Sequence, residues 1–223
     1  MFDIAYREAR TRVCELVSAM DAERLGRRLP ATPQWSAREL VAHLVGVAAD
    51  VTSGNLEGIT TGPWTAAQVD ARRDRDLEQL FAEWDDVGPK LELAVAERRM
   101  TLPPVHDVTV HETDLREGHG LPRAPEHHLP ALLNSVASVV ARYHADRPGG
   151  VLLCSAGRQW QIGGGPPAAS VELEPYELYR GLFSRRSRRQ LRDWPWQGDP
   201  DGFLDLLPVF DAREDDQPTI RAS

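Results

Sequence analysis

A chain of 223 residues with 41% hydrophobic and 27% charged residues has the mass to bury a core and the composition of a globular protein. Its formal net charge of −8 offers no global field to attract phosphate, which argues against a nucleic-acid partner. No apolar run approaches the ~18–20 residues of a membrane span. The opening MFDIAYREARTRV also lacks a signal-peptide layout, so a cytoplasmic location without a membrane partner is expected. Cys14 and Cys154 have no CxxC neighbours and read as small apolar residues rather than a disulfide framework.

Phe2, Ala5, Ala9, Val13, Leu16, Val17 and Met20 recur at three- and four-residue steps, which predicts a first amphipathic helix. LPATPQ breaks it. In WSARELVAHLVG, Ser36 suits the N-cap and Glu39 completes a capping box, with Trp35 and Leu40 spaced for a hydrophobic staple. A second helix is expected from about Ala37 to Val51. After a Gly/Thr-rich loop, WTAAQVDARRDRDLEQLFAEWDDVGPKLELAVAE reads as a third helical region, with Leu77, Leu80, Phe81, Trp84 and Val87 on one face. LPPVHDVTVHETDLREGHG opens on prolines and closes near glycine, the usual punctuation of a helix. Four amphipathic helices with a long connection after the second predict a four-helix bundle. LPALLNSVASVVARYH then packs on the bundle or leads out of it.

The composition shifts near ADRPGG. GVLLCSA, RQWQIGGG and AASVELE read as strands, PYELYRGLFSRRSRRQL as a helix, and DPDGFLDLLPVF as a last short helix. The expected fold is mainly α with a smaller α+β part: a helical bundle over 1–148, then a small α+β domain over 149–223.

VHDVTVHETDL carries the densest chemistry. A helix turns ~100° per residue, so Asp107 and His111, four apart, share a face, whereas His106 and His111, five apart, do not. Asp114 lies near the same face and suits a hydrogen bond to the second nitrogen of His111. Glu112 points about a quarter-turn away, toward solvent or a partner. A catalytic zinc takes three protein ligands and keeps one position open. His43, inside the best-defined helix, is the obvious third donor. The plainer alternative makes His43 a core histidine satisfied by one hydrogen bond, and Asp107 and His111 an exposed pair.

WSARELVAHLVG, WTAAQV with its charged helix, VHETDLR and the later LYRGLFSRRSRRQL…W…GDP together resemble the actinobacterial mycothiol-dependent maleylpyruvate isomerase family. The resemblance runs over most of the chain and implies a DinB-like four-helix bundle at the amino terminus. It also implies a divalent metal, usually zinc, on His43, Asp107 and His111. Aspartate stands here where the family usually has glutamate. The resemblance further implies mycothiol as co-substrate, a small electrophile as its target, and a transferase or isomerase reaction. Arg185 in LFSRRS is the match for a catalytic arginine of the carboxy-terminal domain that meets an anionic substrate, although Ser184 replaces the glycine common before it. A non-catalytic binding protein of the same fold and a hydrolase using zinc-bound water are the alternatives, and the chain is expected to be a monomer or homodimer.

RRSRR also suits a basic helical turn or a solvated face. The glycines at Gly163–Gly165 lack a dinucleotide-fold context, and Ser155 lacks a nucleophile elbow, so neither marks a site.

Overall fold

The computed structural model describes residues 1–97 and 101–220, and its contacts group the chain into two units, Met1–Ala124 with Ile220 and Pro125–Thr219. The first unit contains α1 (Phe2–Ser18), a short α2 (Ala22–Gly26), and a hairpin of β1 (Arg28–Leu29) and β2 (Thr32–Ser36). There follow α3 (Ala37–Ser53), α4 (Gly62–Asp70), α5 (Leu77–Glu97) and α6 (Val105–His119). α1 and α3 each pack against both α5 and α6, so these four long helices enclose one core. Leu40, Leu80, Leu91, Leu115 and Trp84 are fully buried in it, and the Trp84 indole donates to the Tyr6 hydroxyl at 2.9 Å.

Local chemistry sets where these helices start and stop. The Ser36 hydroxyl accepts from the Glu39 amide at 3.3 Å, and Glu39 Oε2 accepts from the Ser36 amide at 2.7 Å. This capping box starts α3, and Gly54 ends it in the left-handed region. The region expected as one helical stretch is two helices, α4 and α5. Between them Arg38 donates to the carbonyls of Arg73 and Arg75, each at 2.6 Å. Asp76 and Gln79 then exchange side-chain-to-amide bonds of 2.9 and 3.0 Å, and the chain re-enters a helix. Gly46 brings α4 close to α3: a Cβ there would lie 2.4 Å from Gln68 Cβ.

α6 buries His106, His111, Glu112, Thr113, Asp114 and Glu117, an unusual polar load for a helix inside a bundle. Glu112 accepts a bidentate pair from Arg12 Nε and Nη2 at 2.9 and 2.8 Å, and a further bond from Arg116 Nη2 at 3.0 Å. A fully buried carboxylate is stable only with such partners, and here they lock α6 to α1. The His106 ring meets Phe2 edge-on at 6.1 Å.

The second unit holds α7 (Leu129–Tyr143), β3 (Gly150–Ser155), β4 (Arg158–Ile162), β5 (Pro167–Glu172), α8 (Pro175–Leu182), α9 (Arg188–Arg192) and β6 (Gln197–Gly198). Strand order is β4-β3-β5-β6; β3 runs antiparallel to β4 and parallel to β5. Ala156 and Gly157, both at positive φ, make the tight turn between β3 and β4. α7 packs on α8 and β4. The grouping by contacts therefore differs from a division at 148/149 by this helix, whose apolar face is covered by the sheet unit. Only a 3-10 turn, Leu204–Leu206, forms where the sequence predicts a last helix. No helix among the described residues is long and apolar enough to cross a membrane.

LYRGLFSRRSRRQL, expected as one helix, is divided by Ser184. The Arg185 amide bonds the Arg180 carbonyl at 2.9 Å and the Ser184 amide bonds Gly181 at 3.1 Å, a Schellman ending with Ser184 in the left-handed position at φ 58°. The turn that glycine would make is thus kept by serine, and Ser187 with Gln190 caps the start of α9. In the arginine run, Arg186 is fully buried and pairs with Glu177 through Nε and Nη2, each at 2.8 Å.

Ser184 combines a left-handed backbone with a buried hydroxyl that has no hydrogen-bond partner among the described residues. Ser184→Gly relieves both and is expected to stabilise the protein by roughly 1 kcal/mol, read as a higher urea midpoint. His106 supplies an acid sensitivity. Burial pushes its imidazole from the ordinary 6.5 down to about 3, so the folded state binds its proton well below the unfolded chain. Stability held above pH 6.5 is therefore lost as pH falls toward 3, by up to about 1.4 kcal/mol per unit. His106→Leu should flatten the stability profile between pH 6 and 4 by about one proton, measured by urea melts across that range.

Candidate metal centre

α3 carries His43 two turns beyond its capping box, and α6 carries Asp107 and His111 one turn apart on the side facing α3. The three converge: His43 Nε2 and His111 Nε2 lie 3.6 and 3.5 Å from the same oxygen, Asp107 Oδ1. One donor atom from each residue lies within 4.8 Å of the other two. The imidazoles are almost wholly buried, whereas the Asp107 side chain keeps 31% of its surface although its Oδ2 atom is buried.

Each imidazole is held at its far nitrogen. His111 Nδ1 lies 2.9 Å from Asp114 Oδ2, as the spacing within α6 implied. His43 Nδ1 lies 2.8 Å from Gln68 Oε1, a residue of α4. Gln68 Nε2 in turn donates to Asp50 Oδ2 at 2.7 Å. Trp35, at the end of the hairpin, stacks on the His43 ring at 4.6 Å and stands 6.1 Å from His111. Its indole thus covers the histidines from the side where a hydrophobic staple was expected.

Burial pushes the His111 imidazole below its usual range, against the opposing pull of Asp107 and Asp114. A ring kept neutral with Nε2 facing inward is the form that a metal ion requires. The spacing fits as well. Zinc–nitrogen and zinc–oxygen bonds of ~2.0–2.2 Å at tetrahedral angles place donors ~3.3–3.5 Å apart. The observed 3.5 and 3.6 Å lie within a small adjustment of that range. The residues present therefore fit a divalent ion.

His106 faces Phe2, and Glu112 is held by Arg12 and Arg116; neither belongs to the cluster. Arg185, in the second unit, is half-buried and donates through Nη1 to the Phe183 carbonyl at 2.9 Å. The Ser155 hydroxyl donates to the Leu173 carbonyl at 2.8 Å, so its proton serves the packing of the sheet unit. Gln68, Asp50 and the stacking role of Trp35 were missed from sequence. An uncharged glutamine in WTAAQV carries no ligand signature, and its value appears only when α4 lies on α3.

Residues 6–116 match the family described as mycothiol maleylpyruvate isomerase N-terminal domain. Two solved structures align with the chain, a mycothiol-dependent maleylpyruvate isomerase and a point mutant of that enzyme. Each is 11% identical and covers 82% of this chain and 88% of the other, with TM-scores of 0.55 and 0.54. At that identity they establish a shared fold, helical bundle and α+β part together. No curated protein sequence matches the chain. With the domain match spanning the bundle and the fold shared beyond it, the chain belongs to the mycothiol-dependent maleylpyruvate isomerase family.

Proposed function

We propose that this protein is a divalent-metal enzyme that uses mycothiol to transfer to, or isomerise, a small electrophilic and anionic substrate. The observation that carries the reading is the convergence of two imidazole nitrogens and one carboxylate oxygen inside the bundle, each imidazole held from behind. His43, Asp107 and His111 would hold the ion, with zinc the best match to two nitrogens and one oxygen. Bound there, zinc would keep an exogenous thiol as its nucleophilic thiolate at neutral pH.

The chain's own thiols do not supply that nucleophile. Burial pushes Cys14 up to about 11 and also raises Cys154. Both therefore stay protonated at neutral pH, and neither belongs to the His43–Asp107–His111 cluster. On this reading the thiolate comes from a small molecule, in keeping with the family name.

A divalent ion held by His43, Asp107 and His111 would keep a coordination position open for the thiol and would act there as a Lewis acid toward an anionic electrophile. Asp114 and Gln68 hold the rings so that Nε2 stays directed inward. Trp35 covers the imidazoles and keeps water from their buried faces. Arg185 is assigned the substrate carboxylate through the family resemblance, and its planar fork suits a two-point bond to that group.

Metal analysis of protein purified without added metal tests the centre. The expected result is close to one equivalent of zinc, lost in His43→Ala; less than a tenth of an equivalent of any transition metal would sink the reading. Turnover of an unsaturated dicarboxylate such as maleylpyruvate should require both zinc and mycothiol, whereas thiol-independent hydrolysis would mark zinc-bound water as the nucleophile. For the arginine, Arg185→Ala should raise KM for the anionic substrate by about 10-fold or more while leaving the zinc content unchanged, in keeping with a lost charged hydrogen bond of ~1.5–3 kcal/mol.

A further inference from the structure

We propose that Gln68 is the positioning residue of His43 and that Asp50 sets its polarity. The Asp50–Gln68–His43 chain fixes His43 as the Nδ1–H tautomer and turns its Nε2 lone pair toward Asp107. For metal affinity the proposal rests on the metal-centre reading; for the tautomer it stands on the protein alone.

A neutral imidazole has one N–H and one lone pair, and the partner at one nitrogen decides the role of the other. For His111 the choice is immediate. Asp114 is a carboxylate and only accepts, so Nδ1 donates and Nε2 is left as the acceptor. His43 meets an amide instead, and an amide offers a donor and an acceptor alike. The choice is made one residue further out. Gln68 Nε2 lies 2.7 Å from Asp50 Oδ2, and because the carboxylate only accepts, the amide must turn its NH2 toward Asp50. Its carbonyl oxygen then faces His43 Nδ1 at 2.8 Å, and that nitrogen must carry the proton. The reversed amide would set two oxygens against each other at the Asp50 end.

Every member of the chain is itself held. Asp50 Oδ1 accepts from Asn55 Nδ2 at 2.8 Å. The Gln68 backbone carbonyl accepts from Arg72 Nη1 at 3.1 Å, and Arg72 bonds Glu83 through Nε and Nη2 at 2.9 and 2.5 Å. Gln68 is 3% exposed, so water cannot take the place of its side-chain oxygen. Gly46 makes the approach possible, since a Cβ there would overlap the Gln68 side chain at 2.4 Å. The two histidines of one cluster are thus oriented by different devices: a carboxylate directly on His111, and a carboxylate acting through an amide on His43.

The test uses the full chain. Long-range proton–nitrogen NMR of metal-free protein labelled with nitrogen-15 histidine reads the tautomer, and zinc competition titration reads affinity. Wild type should show His43 as Nδ1–H. Gln68→Leu removes the acceptor; it should mix the tautomers and lower zinc affinity by about 10- to 100-fold, the usual cost of losing a ligand's outer partner. Exchanging the two groups, Asp50→Asn together with Gln68→Glu, keeps an acceptor on His43 and a donor–acceptor pair behind it. That double variant should recover the Nδ1–H pattern and most of the lost affinity; the tautomer, which a packing role for Gln68 would leave unchanged in every variant, is the deciding reading. An Nε2–H pattern in wild type would overturn the proposal, as would a Gln68→Leu protein unchanged in both readings or a double variant as weak as Gln68→Leu. If Gln68→Leu does not fold, the wild-type spectrum and the double variant decide. A wild type that binds no zinc removes the metal centre, while its spectrum still decides the tautomer.

Discussion

A buried imidazole needs a partner for its protonated nitrogen, because an unmet N–H inside a protein costs on the order of 1–3 kcal/mol. In this chain α4 meets that requirement for His43. His111 meets it within its own helix, from Asp114 three residues on. His43 has no such neighbour in α3, and its partner arrives from a separate helix, as Gln68. That delivery needs Gly46 to let α4 approach, and Arg38 with the Asp76–Gln79 pair to turn the chain from α4 into α5. The connection after the second long helix therefore shapes the surroundings of His43.

α6 carries a larger burden. It places Asp107 and His111 toward α3 while Glu112, on another side, is buried against Arg12 of α1. Removing one partner of a buried ion pair costs about 3–5 kcal/mol, which is far more than an exposed pair contributes. That difference gives α6 one favoured rotation. A helix turned by one residue would strand Glu112 and separate Asp107 from the imidazoles at once. The polar residues of α6 thus specify where the helix faces, a task apolar residues alone perform less strictly.

Much of this was legible in the chain itself. Ser36 and Glu39 marked the start of α3 because a capping box is local, and the step of four from Asp107 to His111 is a property of one helix. What escaped was decided between helices. In VHDVTVHETDL the sequence leaves Glu112 facing either solvent or a partner, and the choice is made only when Arg12, a hundred residues earlier, is placed beside it. Gln68 was invisible for the same reason, and Trp35 suited a staple until the hairpin stacked it on His43. Ser184 misled differently. Nothing in LFSRRS forbids a continuous helix, and only the paired bonds to Arg180 and Gly181 show the chain turning there.

By the resemblance read from sequence, aspartate stands at a position where glutamate, one methylene longer, is usual. The geometry changes the terms. A carboxylate shortened by one methylene reaches the same point only if its helix stands closer, and Asp107 Oδ1 already lies 3.5 and 3.6 Å from the two nitrogens. A helix held that near has less room to adjust, and its position is set by groups that never touch the cluster, Arg12 and Arg116 on Glu112. In a site with glutamate the longer side chain absorbs small errors in helix position. With aspartate that tolerance is smaller, and the buried ion pair between α1 and α6 holds Asp107 beside the two imidazoles.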